Sequence, residues 1–351
     1  MIVDEPPRGG YPDPSLLGLT GIEQLRAMLD GRVPYPPIHH LTGMRPTAVG
    51  GGTSSFVMPA TGWLATPFGV TTGGILAALA DGPLGCAIQA TLPAGTLYTT
   101  SELSMSYLRP VLADGRDLVA RGRLIHAGRS LALSEAVVTD AAGRELAHAT
   151  SRCFVFPPLD PPPPKPDPPL VDRPVYDTPD PWQRPPEGAV LGAEAEELDG
   201  YELYRRCASG EIPPPPLHHL TGSMPVAVGR GETTWTMPAS TWLCSPTGFV
   251  EGGMLVYLVD AAIASASATL TPAGTACAPI DITVKFIRPV PPDGTLLTAT
   301  GRVVNHGRSL SVATGEIRNA AGKLVATAIG SAMLLPGRSL SVAVEDAAPN
   351  A

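Results

Sequence analysis

The chain contains one segment that occurs twice, and this internal repeat constrains its fold more than any other feature. Residues 39–81 align with residues 218–260 without a gap, so that each partner lies 179 positions later. Within this alignment 22 of the 43 positions are identical, far more than shared composition would produce. Because self-similarity at a fixed period marks tandem copies of one structural unit, the sequence predicts a duplicated domain.

The two copies set the expected domain boundaries. We predict a first domain at 15–156, a second domain at 197–336 and a linker at 157–196 between them. The linker holds 14 prolines between Pro157 and Pro186, and such a run favours extended polyproline geometry. We therefore expect a spacer that crosses a domain face without packing and contributes no site.

Hydrophobic periodicity and turn residues predict the same elements in both units. Short helices are expected at 22–29 and 201–208, each after a capping box, and a long apolar helix follows each glycine pair. The strands predicted in the first unit, with counterparts in the second, are 53–58, 96–108, 117–126, 131–139 and 145–156. One long helix followed by a meander of antiparallel strands favours an α+β unit whose sheet curls around the helix.

Each long helix combines a glycine pair at its start with one aspartate further along. The first copy has Gly73-Gly74 and Asp81, and the second has Gly252-Gly253 and Asp260. An unpaired buried carboxylate is costly, so each aspartate needs either a chemical role or a structural one, such as capping a loop or pairing with an arginine. The N–H groups at a helix start have no intrahelical acceptor and could stabilise an oxyanion. Because the aspartate lies about 13 Å further along the same helix, one helix cannot bring both groups to one carbonyl.

Composition excludes several classes of function. The net charge is −8, with 24 Lys and Arg against 32 Asp and Glu, which argues against a nucleic-acid-binding surface. No apolar stretch approaches the roughly 20 residues of a membrane span, and the start of the chain is unlike a signal peptide, so we predict a cytoplasmic location. The five cysteines lack metal-ligand spacing, and we predict neither a metal site nor a disulfide framework.

An ordered set of motifs recurs in both units. The motifs of the first unit are Pro67-x-Gly69-x-x-Thr72-Gly73-Gly74, Asp81, Tyr107-Leu108-Arg109-Pro110, Gly128-Arg129-Ser130 and Gly143-Arg144-Glu145-Leu146-Ala147. Those of the second unit are Pro246-x-Gly248-x-x-Glu251-Gly252-Gly253, Asp260, Phe286-Ile287-Arg288-Pro289, Gly307-Arg308-Ser309 and Gly322-Lys323-Leu324-Val325-Ala326. Together they resemble the phenylacetic-acid-degradation-type (PaaI-like) acyl-CoA thioesterases, here as a tandem double hotdog.

The resemblance implies a fold, a reaction and a place for the active sites. It implies two tandem hotdog domains that hydrolyse a CoA thioester to a free carboxylic acid and CoA, with CoA as part of the substrate and no further cofactor. Sites in this family form between facing helices, which would place catalytic Asp260 opposite Gly73 and catalytic Asp81 opposite Gly252. Each aspartate would act as general base toward water or as nucleophile. A homodimer is also expected, because sheet edges in hotdog proteins commonly pair between chains.

The motifs also supply candidate substrate-binding residues. They are Thr66, Thr72, Gly74, Arg109, Gly128, Arg129 and Ser130 in the first unit, and Ser245, Glu251, Gly253, Arg288, Gly307, Arg308 and Ser309 in the second. Arg109 and Arg288 could contact CoA phosphates, but an arginine before a proline at a strand end is also a common structural ion-pair partner.

Departures from the family pattern keep an alternative function open. The family has a histidine directly before the glycine pair and an asparagine six residues earlier, where this chain has Thr72 and Thr66, then Glu251 and Ser245. These differences motivate a non-catalytic acyl-CoA-binding hotdog protein as the alternative. A hotdog enoyl-CoA hydratase is a weaker third hypothesis, since no Asp-x-x-x-x-His pairing lies near the central helix.

The two sites are expected to differ from each other. Pro83 closely follows Asp81, and an interior proline removes one helical hydrogen bond and crowds the preceding turn. Asp260 should therefore be the better-placed acid. Tyr257 in the second unit corresponds to Ala78 in the first, which predicts pockets of unequal size and asymmetric sites, of which one can be silent.

Overall fold

The computed structural model describes residues 1–166, 174–192 and 197–338, and within these ranges the two repeats have the same order of long elements. The first repeat contains α1 Gly21–Leu29, α2 Pro37–Thr42, β1 Arg45–Gly50, β2 Thr53–Pro59, β3 Val70–Thr71, α3 Gly73–Gln89, β4 Tyr98–Tyr107, β5 Val111–Leu112, β6 Asp117–Ala127, β7 Leu131–Asp140 and β8 Glu145–Val155. The second repeat contains α4 Gly200–Ser209, α5 Pro216–Thr221, β9 Met224–Gly229, β10 Glu232–Pro238, α6 Gly252–Ala268, β11 Thr275–Phe286, β12 Leu296–His306, β13 Leu310–Arg318 and β14 Leu324–Pro336. No helix in the described ranges is long and apolar enough to cross a membrane.

A single antiparallel sheet of 12 strands runs through both repeats, in the order β1-β2-β6-β7-β8-β4-β11-β14-β13-β12-β10-β9. Helix α3 packs on the strands of the first half, α6 packs on those of the second half, and the two helices pack on each other. Both helices are buried along most of their length, as expected for helices that are apolar nearly all round. The chain therefore has the predicted α+β class, with two tandem hotdog domains whose sheets wrap around a central helix.

The two halves of the sheet are joined by β4 and β11, which pair antiparallel around an approximate twofold axis. Ser104 lies opposite Thr283 in the register of this pair, and their hydroxyl oxygens are 2.9 Å apart. These two residues occupy equivalent positions in the repeats, 179 residues apart. The sheet edge that would pair between chains in a dimer of single hotdog domains is thus paired here within one polypeptide.

Gly74 and Gly253, the second glycine of each pair, allow α3 and α6 to meet backbone against backbone. A Cβ at Gly74 would lie 2.4 Å from Tyr257 Cα, and one at Gly253 would lie 2.3 Å from Ala78 Cα. Side chains cannot approach backbone atoms this closely, so any larger residue would push the helices apart. This close approach also brings the N-terminus of each helix to the aspartate of the other.

The interruption expected at Pro83 does not occur, because α3 runs unbroken from Gly73 to Gln89. The hydroxyl of Ser134 on β7 donates a hydrogen bond to the Leu84 carbonyl at 2.9 Å. On β6, a Cβ at Gly122 would lie only 2.4 Å from the Pro83 carbonyl oxygen, so the strand packs closely on this turn. Tertiary packing overrides the local preference of proline, and Asp81 lies on a continuous helix, as Asp260 does.

The described part of the linker packs against the repeats, contrary to the expectation of a spacer, and its Leu191 and Gly192 line the cavity described below, contrary to the expectation that it contributes no site. Arg184 Nη1 lies 2.7 Å from Glu5 Oε2, and the Trp63 indole donates a hydrogen bond to the Arg184 carbonyl at 2.9 Å. Further along, Leu191 N–H donates to the Pro67 carbonyl at 2.7 Å. Extended polyproline-like backbone makes no internal hydrogen bonds, so its polar groups are free to bond to the domain surface. Residues 167–173 and 193–196 of the linker lie outside the described ranges.

Candidate active site

Asp260 of α6 reaches across the contact between the two central helices to the N-terminus of α3. Its Oδ2 accepts a hydrogen bond from Gly74 N–H at 2.9 Å and another from the Thr72 hydroxyl at 3.1 Å. The residue is only 2% exposed, and burial raises its pKa to about 6, although the two hydrogen bonds act in the opposite direction. Asp260 is therefore a fixed carboxylate that is ionised at neutral pH and protonated in mild acid.

Gly73, directly before the glycine whose N–H binds Asp260, supplies a backbone N–H group at the start of α3. The sequence places Asp260 opposite Gly73, and the bonded amide is one residue further on, at Gly74. Gly73 is the first residue of α3, where a backbone N–H has no intrahelical acceptor. No described residue accepts a hydrogen bond from it. The Gly73 N–H thus remains available to a ligand beside the carboxylate.

Tyr107, at the end of β4, closes the site over Gly73. A Cβ built on Gly73 would lie 2.4 Å from Tyr107 Cζ, so the far end of the ring rests on the glycine backbone. The tyrosine hydroxyl is buried and has no hydrogen-bond partner among the described residues. The sequence motif contains this residue, but it is not among the predicted site residues. The signal that could have found it is the contrast with Phe286 at the equivalent position of the second unit.

A cavity of about 410 Å³ opens beside Gly73 and Tyr107. One face of α6 forms a wall of the cavity, and from Tyr257 to Ala268 this wall is about 16 Å long at 1.5 Å per residue. The lining residues of α6 are Tyr257, Ala261, Ala264 and Ala268, and those of α4 include Leu203, Tyr204 and Cys207. Small and apolar side chains dominate these walls, so the cavity suits an apolar chain whose polar end lies at Gly73.

The mirrored site at the N-terminus of α6 contains a second carboxyl group. Asp81 Oδ2 accepts a hydrogen bond from Gly253 N–H at 3.0 Å, as the repeat symmetry requires. In place of Thr72 this site has Glu251, which is 6% exposed and whose Oε2 has no partner among the described residues. Burial, together with the nearby Asp81 charge, raises the pKa of Glu251 well above its usual range, and burial raises that of Asp81 to about 6. Two such carboxyl groups favour retaining a proton near neutral pH.

We expect Glu251→Gln to increase the free energy of unfolding at pH 8. The pKa of Glu251 is higher in the folded than in the unfolded protein, so its contribution to stability is fully present below the unfolded pKa of about 4.3. That contribution is lost as the pH rises through the folded pKa. Glutamine cannot ionise, so the variant should be more stable than the parent at pH 8, and its gain at pH 8 should exceed its gain at pH 5.

Urea denaturation at pH 5 and pH 8 measures this difference. Glu232→Gln is the matched control, because Glu232 is exposed at 49% of its side chain and forms only a surface ion pair with Arg302. If Glu251→Gln is no more stable than the parent at pH 8, or if its free energy of unfolding rises equally at both pH values, then ionisation of Glu251 does not destabilise the folded protein.

The space along α3 that corresponds to the cavity along α6 is occupied by a tyrosine. Tyr98 stands where the second repeat has Cys277, and its hydroxyl oxygen would lie 2.9 Å from a Cβ built on Gly85. The same hydroxyl donates to Gln89 Oε1 at 3.5 Å, and Gln89 Nε2 donates to Gln24 Oε1 at 3.0 Å. The two sides therefore differ in structure: the cavity lies beside Thr72 and Gly73, and Asp260, which binds Thr72, is buried and is not itself among the residues that line it.

Tyr257, which the sequence singles out as a source of asymmetry, lines the open cavity. Its hydroxyl lies 2.6 Å from Ser223 Oγ in a buried hydrogen bond, so the polar end of the side chain is satisfied within the protein. The first repeat has Ala78 and Met44 at these two positions. Tyr257 contributes an aromatic wall, while the difference in open space arises from Tyr98 and Cys277.

Two of the polar candidates have different surroundings. Thr66 lines the cavity, and its Oγ1 accepts a hydrogen bond from Phe68 N–H at 3.3 Å. Its equivalent Ser245 is half-buried and outside the cavity lining, and its hydroxyl lies 2.8 Å from Thr247 Oγ1. Only the first of the two is therefore adjacent to the open cavity.

The candidate arginines bond to backbone. Arg109 donates to the Glu145 carbonyl at 2.5 Å, and Arg288 donates to the equivalent Leu324 carbonyl. Each therefore braces the start of a strand through a carbonyl, in place of the ion pair that the structural hypothesis expects. Arg109 also lines the cavity, whereas Arg288 does not.

The two Gly-Arg-Ser motifs form hairpin turns on the surface. Gly128-Arg129-Ser130 connects β6 to β7, Gly307-Arg308-Ser309 connects β12 to β13, and all six residues are exposed. In each turn the glycine N–H donates to the carbonyl three residues on, at 2.8 Å. Within the described ranges neither turn belongs to the cavity lining.

These features define a tandem hotdog protein with a carboxylate from one repeat at the helix N-terminus of the other. Residues 68–147 and 247–326, one stretch in each repeat, match the model of the Thioesterase superfamily. No curated protein matches the sequence.

Two solved structures resemble most of the chain. The tesB protein from Mycobacterium avium subsp. paratuberculosis is 17% identical with a TM-score of 0.52, covering 86% of this chain and 98% of that chain. The acyl-CoA thioesterase II TesB2 from Mycobacterium marinum is 12% identical with a TM-score of 0.50, covering 85% and 98%. At these identities the likeness establishes the fold alone.

The narrower resemblance to PaaI-like enzymes stays a prediction. The PaaI protein of the phenylacetic acid degradation operon of E. coli is 25% identical but covers only 41% of this chain, with a TM-score of 0.33. This likeness does not distinguish a PaaI-like protein from other members of the superfamily.

Proposed function

We propose that the protein is an acyl-CoA thioesterase with one working site, at Asp260. The observation that carries this proposal is the buried Asp260 carboxylate bound by Gly74 N–H and the Thr72 hydroxyl at the start of α3, where Thr72 and Gly73 line an apolar cavity of about 410 Å³. A thioesterase needs a base or nucleophile, a donor for the carbonyl oxygen and space for an acyl chain. The match of both repeats to the Thioesterase superfamily supports the same reaction.

The thioester carbonyl oxygen would accept a hydrogen bond from Gly73 N–H, where the dipole of α3 adds positive potential. Asp260 would then remove a proton from water as the water attacks the carbonyl carbon, or attack that carbon itself to form an anhydride that water hydrolyses. In either route the C–S bond breaks, the thiolate of CoA leaves and takes up a proton, and the acyl group becomes a carboxylic acid.

Thr72 and Gly74 have positioning roles in this proposal. Both donate to Oδ2 of Asp260, so that oxygen is fixed, and the other carboxylate oxygen faces away from these two donors. Thr72 stands where the family has a histidine, and its hydroxyl orients the carboxylate without adding a second titrating group. The missing histidine is therefore compatible with hydrolysis.

The Asp81 site is proposed to be silent. Glu251 introduces a second carboxyl group beside Asp81, and Tyr98 fills the space along α3. An acyl chain therefore has no room there, and the adjacent carboxyl groups compete for charge. The proposal keeps the expected asymmetry and assigns the catalytic role to Asp260 alone, where the resemblance implies one for both aspartates.

The direct test is release of free thiol from a panel of acyl-CoA esters, from acetyl-CoA to palmitoyl-CoA with phenylacetyl-CoA included. Binding of a non-hydrolysable thioether analogue is measured in parallel by calorimetry. Hydrolysis of at least one ester supports the thioesterase. Binding without any thiol release would overturn it in favour of the acyl-CoA-binding protein.

The rate of hydrolysis should fall as the pH is lowered through about 6. Asp260 must be ionised to act as base or nucleophile, and its pKa in the free protein is raised to about 6. The acidic limb of kcat/KM reports the free enzyme, so it should have its midpoint in this range. The Asp81→Asn variant should keep the limb, because Asp81 titrates outside the working site. A profile that is flat from pH 5 to pH 8 would exclude Asp260 as the essential base.

The homodimer and the cytoplasmic location remain predictions. The edge strands β4 and β11, whose counterparts would join two chains of a single-domain hotdog, are already paired within this chain. A further copy of the chain would have to use another surface, and sedimentation of the purified protein measures this directly.

A further inference from the structure

The Tyr107 hydroxyl is a buried polar group that has no role in the reaction proposed above. It has no hydrogen-bond partner among the described residues, and leaving a buried hydroxyl unpaired costs about 1–3 kcal/mol. The Tyr107 ring ends over Gly73, with Cζ 2.4 Å from a Cβ built on that glycine. Tyr107, Thr72 and Gly73 line the same cavity, so the Tyr107 side chain lies at the end where a thioester carbonyl would bind.

The surroundings of Tyr107 keep it a donor. Burial raises its pKa well above the usual value, and the charges of Asp260 and Asp281 act in the same direction. The phenol therefore stays protonated across the range in which Asp260 ionises. A neutral O–H group held in a site of low polarity stabilises negative charge on an oxygen more strongly than it would in water.

The equivalent position of the closed site provides a natural comparison. Phe286 occupies it, with its Cζ 3.4 Å from a Cβ built on Gly252. The packing of an aromatic ring on the first glycine is thus common to both sites, whereas the hydroxyl occurs only in the open one. The scaffold does not need the hydroxyl, since phenylalanine serves in the same place.

We propose that the Tyr107 hydroxyl is a second oxyanion donor, which acts together with Gly73 N–H on the tetrahedral intermediate formed at the Asp260 site. This inference rests on the proposed thioesterase function and adds a catalytic residue to it. The two donors come from one repeat and the carboxylate from the other, so the site is complete only when both repeats are folded together. With Tyr107 as a donor, the oxyanion has two hydrogen-bond donors in this chain even though Thr72 stands where the family has a histidine.

The test compares Tyr107→Phe with Phe286→Tyr. Removal of one oxyanion-hole donor lowers the rate by about 10²–10³-fold, so Tyr107→Phe should lose about 10²-fold in kcat with KM within about 3-fold. Affinity for a trifluoromethyl ketone analogue of the acyl-CoA, which forms a tetrahedral adduct, should fall in parallel. Affinity for the thioether analogue should not change. Phe286→Tyr should have wild-type kcat.

The outcomes separate this inference from the function on which it rests. If Tyr107→Phe hydrolyses at the wild-type rate while Asp260→Asn is inactive, the donor role is overturned and the thioesterase stands. If Tyr107→Phe weakens the thioether and ketone analogues equally, the residue acts through packing and the donor role is overturned as well. Should Asp260→Asn keep full activity, the proposed site itself is wrong. The thermal midpoint of each variant confirms that folded protein is compared.

Discussion

Replacement of Asp260 by Asn should lower thiol release by at least about 10³-fold, at the upper part of the range for loss of a catalytic acid or base. Asparagine keeps an oxygen that can accept from Gly74 N–H and from the Thr72 hydroxyl, the two contacts of Asp260 Oδ2. It cannot remove a proton from water or form an anhydride. The helices should therefore keep their contact while the chemistry is lost.

Asp81→Asn is the matched variant, because Asp81 makes the equivalent contact with Gly253 N–H. It should retain thiol release within about 3-fold, since Tyr98 leaves no room for an acyl chain beside it. Equal losses from the two variants would mean that both sites turn over and that the closed site opens. Binding of the thioether analogue by both variants excludes loss of the fold as the cause.

The sequence predicts the pairing of the repeats but not its details. The glycine pairs, the aspartates and the repeat spacing place an acid of one unit at the helix start of the other, and the structure has this arrangement at both ends of the helix pair. Which glycine amide is bonded depends on the axial offset of α3 against α6. That offset is set by the contact of Gly74 with Tyr257, a tertiary contact that spacing along one chain does not define.

Other features were outside the reach of sequence patterns for the same reason. Proline usually interrupts a helix, yet α3 continues through Pro83, which is buried in the packing of the helix on the sheet. Proline content marks the linker as a spacer, yet its backbone polar groups bond to the first repeat. Tyr107 is one aromatic residue among several on a strand, and only its position over Gly73 gives it a place in the site. Each of these depends on long-range packing.

Duplication permits two sites that share one pair of helices to diverge. In a symmetric homodimer every substitution would alter both sites, whereas here Glu251 and Tyr98 stand on the Asp81 side where Thr72 and Cys277 stand on the Asp260 side. The helix contact still requires a glycine at both positions, because the backbones meet at each. Both sides therefore keep the glycines of the helix contact, although the residues around them differ.

Exchange of the residue that fills the pocket should move acyl-chain preference by orders of magnitude. Cys277 lines the cavity along α6, and its equivalent Tyr98 fills the corresponding space along α3. Cys277→Tyr should therefore place a ring against Ala264 and shorten the cavity. Each methylene of the acyl chain that no longer fits in the cavity loses about 0.8 kcal/mol of favourable burial. Exclusion of four or five of them should lower kcat/KM for palmitoyl-CoA by about 10²–10³-fold.

Acetyl-CoA and butyryl-CoA are the internal control, since a chain that does not reach Cys277 loses no burial. Their kcat/KM should stay within about 3-fold, as expected when a contact remote from the reacting carbonyl is untouched. Cys277→Ala is the matched variant that keeps the pocket open, and it should hydrolyse palmitoyl-CoA at the parent rate. A parallel loss on short and long esters would show that the acyl chain does not lie along α6. The cavity would then hold another part of the substrate, and the acyl group would have to leave Gly73 in a different direction.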